Sequence, residues 1–328
     1  MFSMFVAKGI FAQDLSICNW KSDRKAAVVL TFDDWLKGHG DIVVPMLIKK
    51  NIPATFFITL NNVHRNGVKQ LNLAQSSDVE IANHTVTHPD LTAIPFKKAK
   101  TEIKTTRNFI LDSVANGRSL TFAYPLGTKN PEIINYLKRH HIGARGVSSA
   151  NEDDIKYDFV VTEDDYYRIK TVRVWRILSS SKVGEWLGYA KKGGGLLTFM
   201  IHSIYNDSIK KGWDGMPEQF LSKMLDTLNS HKKDLWICTF EDAIQYHKEK
   251  ANATIKILSQ SKNKLSFSVR HFLDEKKYDQ DLTVKIKLNG REVMSVYQAG
   301  RNLNFVSDIK DLLVDVAPFG QKVIVKFK

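Results

Sequence analysis

Seven short apolar runs punctuate the first 240 residues, at positions 26–31, 54–60, 79–82, 120–123, 142–147, 196–201 and 235–239. They are continuous rather than alternating, as expected of strands covered on both faces. Helical stretches fall between several of them, at 42–50, 97–113, 131–140, 218–230 and 240–250, with Pro131 suited to a first helical position. Strands that alternate with helices argue for a parallel α/β sheet or barrel. Seven of them point to an incomplete barrel rather than the full eight.

In α/β barrels the reactive groups stand at the C-terminal ends of the strands, where the following loops converge. The first run ends in Asp33-Asp34, and the third leads into His84 and His88. The fourth ends in Tyr124-Pro125-Leu126-Gly127, and the sixth in Met200-Ile201-His202. A carboxylate with two imidazoles suits zinc or a similar borderline divalent ion and leaves one position open for water. Each group alone has an ordinary use: an Asp-Asp pair caps turns, and a lone histidine after an apolar strand is usually a core residue. Their common place on one rim favours the functional reading.

These motifs, Thr31-Phe32-Asp33-Asp34, His84-Thr85-Val86-Thr87-His88 and Phe199-Met200-Ile201-His202, resemble those of the polysaccharide deacetylases of the NodB-homology type, carbohydrate esterase family 4, over residues 26–247. The resemblance implies a distorted (β/α)7 barrel. It implies Asp33 as catalytic base, Asp34, His84 and His88 as metal ligands, and His202 as general acid. It also implies a backbone N–H near Leu126 that holds the oxyanion, with Tyr124 and Trp35 beside the substrate. Two departures stand out. Ala123 occupies the place of an arginine that orients the base, and Arg145, near the end of the fifth run, is the candidate to replace it. The aspartate that tunes the acid histidine has no clear counterpart, with Asp153, Asp154 and Asp165 as candidates. Trp35, Trp175 and Trp213 could offer aromatic faces to sugar rings, although core burial competes for each. Trp35 stands where the family has a small residue, which would narrow the site.

The function implied is removal of acetyl groups from an N-acetylated or O-acetylated polysaccharide. The cofactor expected is a divalent metal, zinc first, with cobalt, nickel or manganese as alternatives. Two other readings compete. One is an amidase for a small cyclic or ureido compound. The other is a carbohydrate-binding homologue without turnover, which Ala123 favours and the intact Asp33, Asp34, His84, His88 and His202 oppose.

A chain of 328 residues, 43% hydrophobic, can bury one large core and a smaller one. Residues 1–12 read as the remnant of a secretory signal, apolar and ending in Ala12, which suggests a secreted or periplasmic protein. Residues 13–250 read as the deacetylase domain and 251–328 as a small all-β, sandwich-like accessory domain. In the latter, β-rich runs recur at 254–258, 265–269, 282–288, 292–296, 303–306 and 322–327. Asn289-Gly290 between two of them is a strong hairpin signal. No apolar stretch approaches the roughly 20 residues of a membrane span. Cys18 and Cys238 are the only cysteines, too few for a disulfide scaffold, and a single bridge between them is left open. The net charge of +13 is scattered without an Arg-rich arm, so nucleic acid is not the expected partner. An acetylated glycan is.

Overall fold

The computed structural model describes residues 14–67, 71, 74, 78–114, 117–149, 154, 162–176 and 179–328. The signal-like segment 1–12 lies outside them. The chain divides into two compact units. The larger comprises Arg24–Lys248 with Asp274–Tyr278, and the smaller the residues up to Asp23, Glu249–Leu273 and Asp279–Lys328. The N-terminal strand β1 (Leu15–Ile17) therefore does not belong to the large domain, where the sequence reading put it. It pairs antiparallel with Leu282–Lys287 of the smaller unit, Leu15 against Ile286 and Ile17 against Val284. Three residues carry too little periodicity to announce their partner.

In the larger unit, β2 (Ala26–Asp34), β3 (Ala54–Ile58), β4 (Val79–Asn83), β5 (Thr121–Ala123), β6 (Gly143–Ser149), β7 (Ile169–Arg173) and β8 (Leu196–Ile201) run parallel in sequence order. The ring closes where β8 pairs with β2, from Ala27 against Leu196 to Phe32 against Ile201. This is the expected (β/α)7 barrel, but its membership differs from the sequence reading at one place. The segment Ile-Lys-Thr-Val-Arg of β7 is half polar and was passed over, yet it completes the ring between β6 and β8. The run at Leu235–Cys238 instead lies against the first half of β2, pairing with Ala26–Val29, while β3 takes the second half, from Thr31 to Asp34.

The apolar composition of these strands is matched to their burial. β2 is buried over eight successive residues, and Val28, Leu30 and Phe32 are fully enclosed with Phe56 and Phe199. Helix Ser180–Gly193 contributes Val183, Leu187 and Ala190 to the same core, and helix Glu218–Ser230 contributes Leu221, Met224, Leu225 and Leu228. The three- and four-residue spacing places each set on one helical face. Each fully buried side chain of this size contributes roughly 1.5–3 kcal/mol.

The smaller unit holds two antiparallel sheets. One orders β1, Leu282–Lys287, Asp311–Val316 and Phe305–Ser307; the other orders Thr254–Gln260, Lys264–Arg270, Phe319–Phe327, Val293–Gln298 and Arg301–Asn302. Alternate residues are buried in each, Val284 and Ile286 in the first and Phe267, Val323 and Val325 in the second, as in a sandwich. Asn289-Gly290 does form a turn with both φ angles positive, 51° and 79°. It does not close a hairpin, because the strands on its two sides belong to different sheets. The two-residue hairpin is at Ala299-Gly300, φ 49° and 81°, joining paired strands. Local geometry allowed either turn, and side-chain burial chose which strands meet. Cys18 and Cys238 are both buried thiols.

Gly127 closes the turn after β5 with φ 75°, and a Cβ there would lie 2.4 Å from Val147 Cγ2 and 3.0 Å from Val147 N. Gly127→Ala should lower the free energy of unfolding by about 1–3 kcal/mol, from backbone strain and overpacking together. An unchanged urea midpoint would contradict this account of the turn.

Candidate active site

The C-terminal ends of six barrel strands, β2 and β4 to β8, meet around one cavity of about 390 Å³. Its walls include Asp33, Asp34, His84, His88, Tyr124, Leu126, Arg173, His202, Trp213 and Asp214. β2 delivers the two aspartates to different places. Asp33 is 1% exposed and points among Arg145, His84 and His202. Asp34 leaves the strand in a left-handed conformation, φ 76°, and its carbonyl oxygen accepts from Thr59 Oγ1 at 3.1 Å and Asn62 Nδ2 at 2.9 Å.

The histidine loop is fixed from both sides. Asn83 Oδ1 accepts from Thr85 N, Thr85 Oγ1 accepts from His88 N, and Glu102 accepts from Val86 N, Thr87 N and Thr87 Oγ1. Thr85 and His88 both have positive φ, so the two histidines sit on a tight turn rather than a helix. His84 Nδ1 is 2.8 Å from the Ala123 carbonyl oxygen. That acceptor requires a proton on Nδ1 and leaves the Nε2 lone pair for a ligand. His84 Nε2 lies 3.6 Å, and His88 Nε2 3.7 Å, from Asp34 Oδ1. The three ligating atoms lie within 4.8 Å of one another, so one small cation can be reached by all three. Two imidazoles and a carboxylate are the donor set expected for such an ion.

The charge partner of Asp33 is Arg145. Its Nη2 donates to Asp33 Oδ1, the guanidinium is fully buried, and its Cζ lies 4.7 Å from the centre of the Phe57 ring. Arg145 and Ala123 are direct ladder neighbours on β6 and β5, so the guanidinium comes from one strand further round the ring at the same height. Burial alone would raise the Asp33 carboxyl, but Arg145, with His84 and His202, overrides it and holds Asp33 below the ordinary range. Asp34 behaves oppositely: burial and the neighbouring Asp33 charge push it up to about 7. Burial also depresses His84, His88 and His202.

His202 Nε2 lies 3.8 Å from Asp33 Oδ2, and its Nδ1 lies 3.7 Å from Asp214 Oδ2. Asp214, which sequence reasoning missed, is the aspartate that the structure brings to His202 Nδ1. Of the candidates named for that role, Asp165 closes a capping box with Thr162, Asp154 pairs with Lys170, and Asp153 lies outside the described residues. The available signal was Gly212-Trp213-Asp214-Gly215, two glycines bracketing a polar-aromatic pair just beyond His202. His39 was also missed: fully buried, its Nε2 is 2.6 Å from the His202 carbonyl oxygen, and burial lowers it to about 4.

Tyr124 and Leu126 line the cavity as expected, Leu126 at φ 56° and Tyr124 with a buried hydroxyl that has no hydrogen-bond partner among the described residues. Trp35 does not. It is 1% exposed and packs edge-on against Phe56, 5.1 Å between ring centres, because the left-handed turn at Asp34-Trp35 sends the indole into the core. Trp175 is exposed but does not line the cavity, whereas Trp213, 72% exposed, stands in its wall.

Residues 21–144 match the family model for polysaccharide deacetylases. The match takes in Asp33, Asp34, His84 and His88 and stops short of Arg145, His202 and Asp214. A gellan lyase from a Bacillus species is 22% identical over 329 aligned positions, 93% of this chain and 13% of that protein. A chitooligosaccharide deacetylase from Rhizobium leguminosarum bv. trifolii is 36% identical over 88 residues, 26% of this chain and 40% of that protein. The chain thus spans well under half the length of either relative. A crystal structure assigned to the polysaccharide deacetylases from Mycobacterium smegmatis shares the fold, with TM-score 0.51 and 16% identity over 72% of this chain and 94% of that one. The family match over residues 21–144 and the ordered motifs thus agree on similarity to the polysaccharide deacetylases of the NodB type.

Proposed function

We propose that the protein is a metal-dependent hydrolase that removes acetyl groups from an N-acetylated, or O-acetylated, glycan. One observation carries the reading: a buried carboxylate, Asp33, held by Arg145 and facing His202, opens on the same cavity as the Asp34, His84 and His88 cluster. The similarity to a chitooligosaccharide deacetylase supports an acetylated sugar as the substrate class.

Asp34, His84 and His88 would hold a divalent ion, of which zinc suits the donor set best. Such an ion, when bound, polarises the acetyl carbonyl and makes water a nucleophile near neutral pH. The chain's own residues supply the proton transfers. Asp33, kept ionised by Arg145, takes the proton of the attacking water. Its second oxygen lies 3.8 Å from His202 Nε2, so base and acid open on the same cavity. His202 protonates the leaving amine, and the negative charge of Asp214 favours the imidazolium it needs. The Leu126 turn would offer a backbone N–H to the oxyanion. Acetate and a free amino sugar leave, or a free hydroxyl if the substrate is an ester.

His84→Ala should lower bound zinc to less than about a tenth of the wild-type content. Loss of an outer-shell partner alone costs 10–100-fold in affinity, and this is a direct ligand. Stoichiometric zinc by elemental analysis in that variant would remove His84 from the ligand set.

Asp33→Asn should keep the metal and lose turnover, since an amide cannot accept the water proton. Arg145→Met should lower acetate release about ten- to a thousandfold at pH 7 and move the acidic limb of the rate profile upward. The sign follows from the pair: without the guanidinium, burial raises Asp33, so more alkali is needed to ionise it. A loss below twofold, with the limb unmoved, would make Arg145 a bystander.

Asp214→Asn should shift the alkaline limb of kcat to lower pH. Removing a negative charge beside His202 lowers the imidazolium's stability, so the acid form is lost earlier as pH rises. An unmoved or upward-shifted limb would take Asp214 out of this role.

A further inference from the structure

Arg173 ends β7 in the wall of the same cavity, yet neither proton transfer nor metal binding uses it. Its Nε and Nη2 both donate to the Val147 carbonyl oxygen, at 3.1 and 2.7 Å. Those two bonds fix the guanidinium plane and, among the described residues, leave the Nη1 donors and one Nη2 proton uncommitted. Among the described residues no carboxylate pairs with it. The cavity's acids are already engaged: Asp33 with Arg145, Asp34 with the two histidines, and Asp214 with His202. The charge of Arg173 also opposes the protonated form of His202, so its placement works against the acid unless something anionic neutralises it.

Further cations lie on the segments that carry other residues of the cavity wall. Trp213 exposes most of its indole in the cavity wall, and the exposed Lys210 and Lys211 lie on the same loop. Lys129 Nζ lies 5.6 Å from the centre of the Tyr124 ring. None of the three lysines has a carboxylate partner among the described residues. A fixed cation beside an exposed aromatic face can hold an anionic substituent and the sugar ring that bears it.

We propose that this cavity selects acetylated glycans that carry an oxyanion, a carboxylate or a phosphate, next to the acetylated residue. The ring lies on Trp213 and the oxyanion accepts hydrogen bonds from Arg173. The inference rests on the deacetylase reading and narrows its substrate class.

The test uses the full chain loaded with zinc and three acetylated oligosaccharides of equal length. One contains glucuronate, one is its carboxyl-reduced neutral counterpart, and one bears a phosphate instead. Binding is measured by calorimetry and acetate release in parallel. The wild type should bind the glucuronate or the phosphate form at least about tenfold more tightly than the neutral one. Whichever of the two is preferred identifies the oxyanion. Arg173→Met should abolish that preference while leaving affinity for the neutral form within about twofold, and Arg173→Lys should retain part of it. Trp213→Ala should weaken all three alike. Equal wild-type affinity for charged and neutral forms would overturn the proposal, as would a preference that survives in Arg173→Met. Acetate released equally from all three forms would refute this selectivity and leave the deacetylase reading intact. Anion-selective binding without any acetate release would refute the activity instead.

Discussion

The buried ion pair between Asp33 and Arg145 is the interaction around which the barrel's upper rim is organised. An ionised carboxylate at 1% exposure is stable only with a partner, and removing one member of such a pair typically costs about 3–5 kcal/mol. Here the pair does more than balance charge. It fixes which of two adjacent aspartates remains ionised, because the same burial that Arg145 offsets at Asp33 drives Asp34 upward. In the proposed mechanism two neighbouring residues of identical chemistry thereby take different tasks: one would be a base ready for a proton, the other a ligand that a cation would ionise. The difference lies in what each faces, since the strand ends at Asp34, whose left-handed backbone turns it away from Asp33.

That turn belongs to a wider pattern. Asp34, Trp35, Thr85, His88, Leu126 and Asp214 all hold left-handed backbone conformations without being glycine, and all but Trp35 line the cavity or brace its histidines. Each such residue costs roughly 1 kcal/mol or more, and it persists where surrounding bonds over-determine it. The bonds are present: Thr59 and Asn62 on the Asp34 carbonyl, Asn66 on the Trp35 carbonyl, and Glu102 beneath the histidine loop. The barrel core provides the stability against which this strain is held.

How far the sequence revealed these features varied by residue. Asp33, Asp34, His84, His88 and His202 were legible because hydrogen-bonding and metal-binding chemistry narrows the choice of side chain, and because each follows an apolar run. Arg145 could be suspected from the vacancy at Ala123, but only the ladder register shows that positions 123 and 145 are neighbours. β7 is not legible in the sequence because Lys170, Thr171 and Arg173 break up a strand whose burial comes from its neighbours. Trp35 was misplaced because backbone handedness decided its direction, and a single left-handed residue leaves no periodic trace. Asp214 approaches His202 through a loop whose path depends on Ser203, the oxygen of which accepts from Gly212 N. Such long-range closures are set by packing rather than by local pattern.

Ala123 contributes no functional side-chain group, but its peptide joins the two halves of the site. Its carbonyl holds the His84 ring, and its ladder partner is Arg145. β5 is only three residues long, so the strand offers little length over which a shift can be absorbed. A slip of one residue there would misdirect the imidazole and the guanidinium in the same event, coupling metal affinity to base ionisation through a single peptide unit. Saturation mutagenesis read by side-chain chemistry would rank position 123 as a small, buried core residue. An insertion or deletion on either side of it would disable both halves at once.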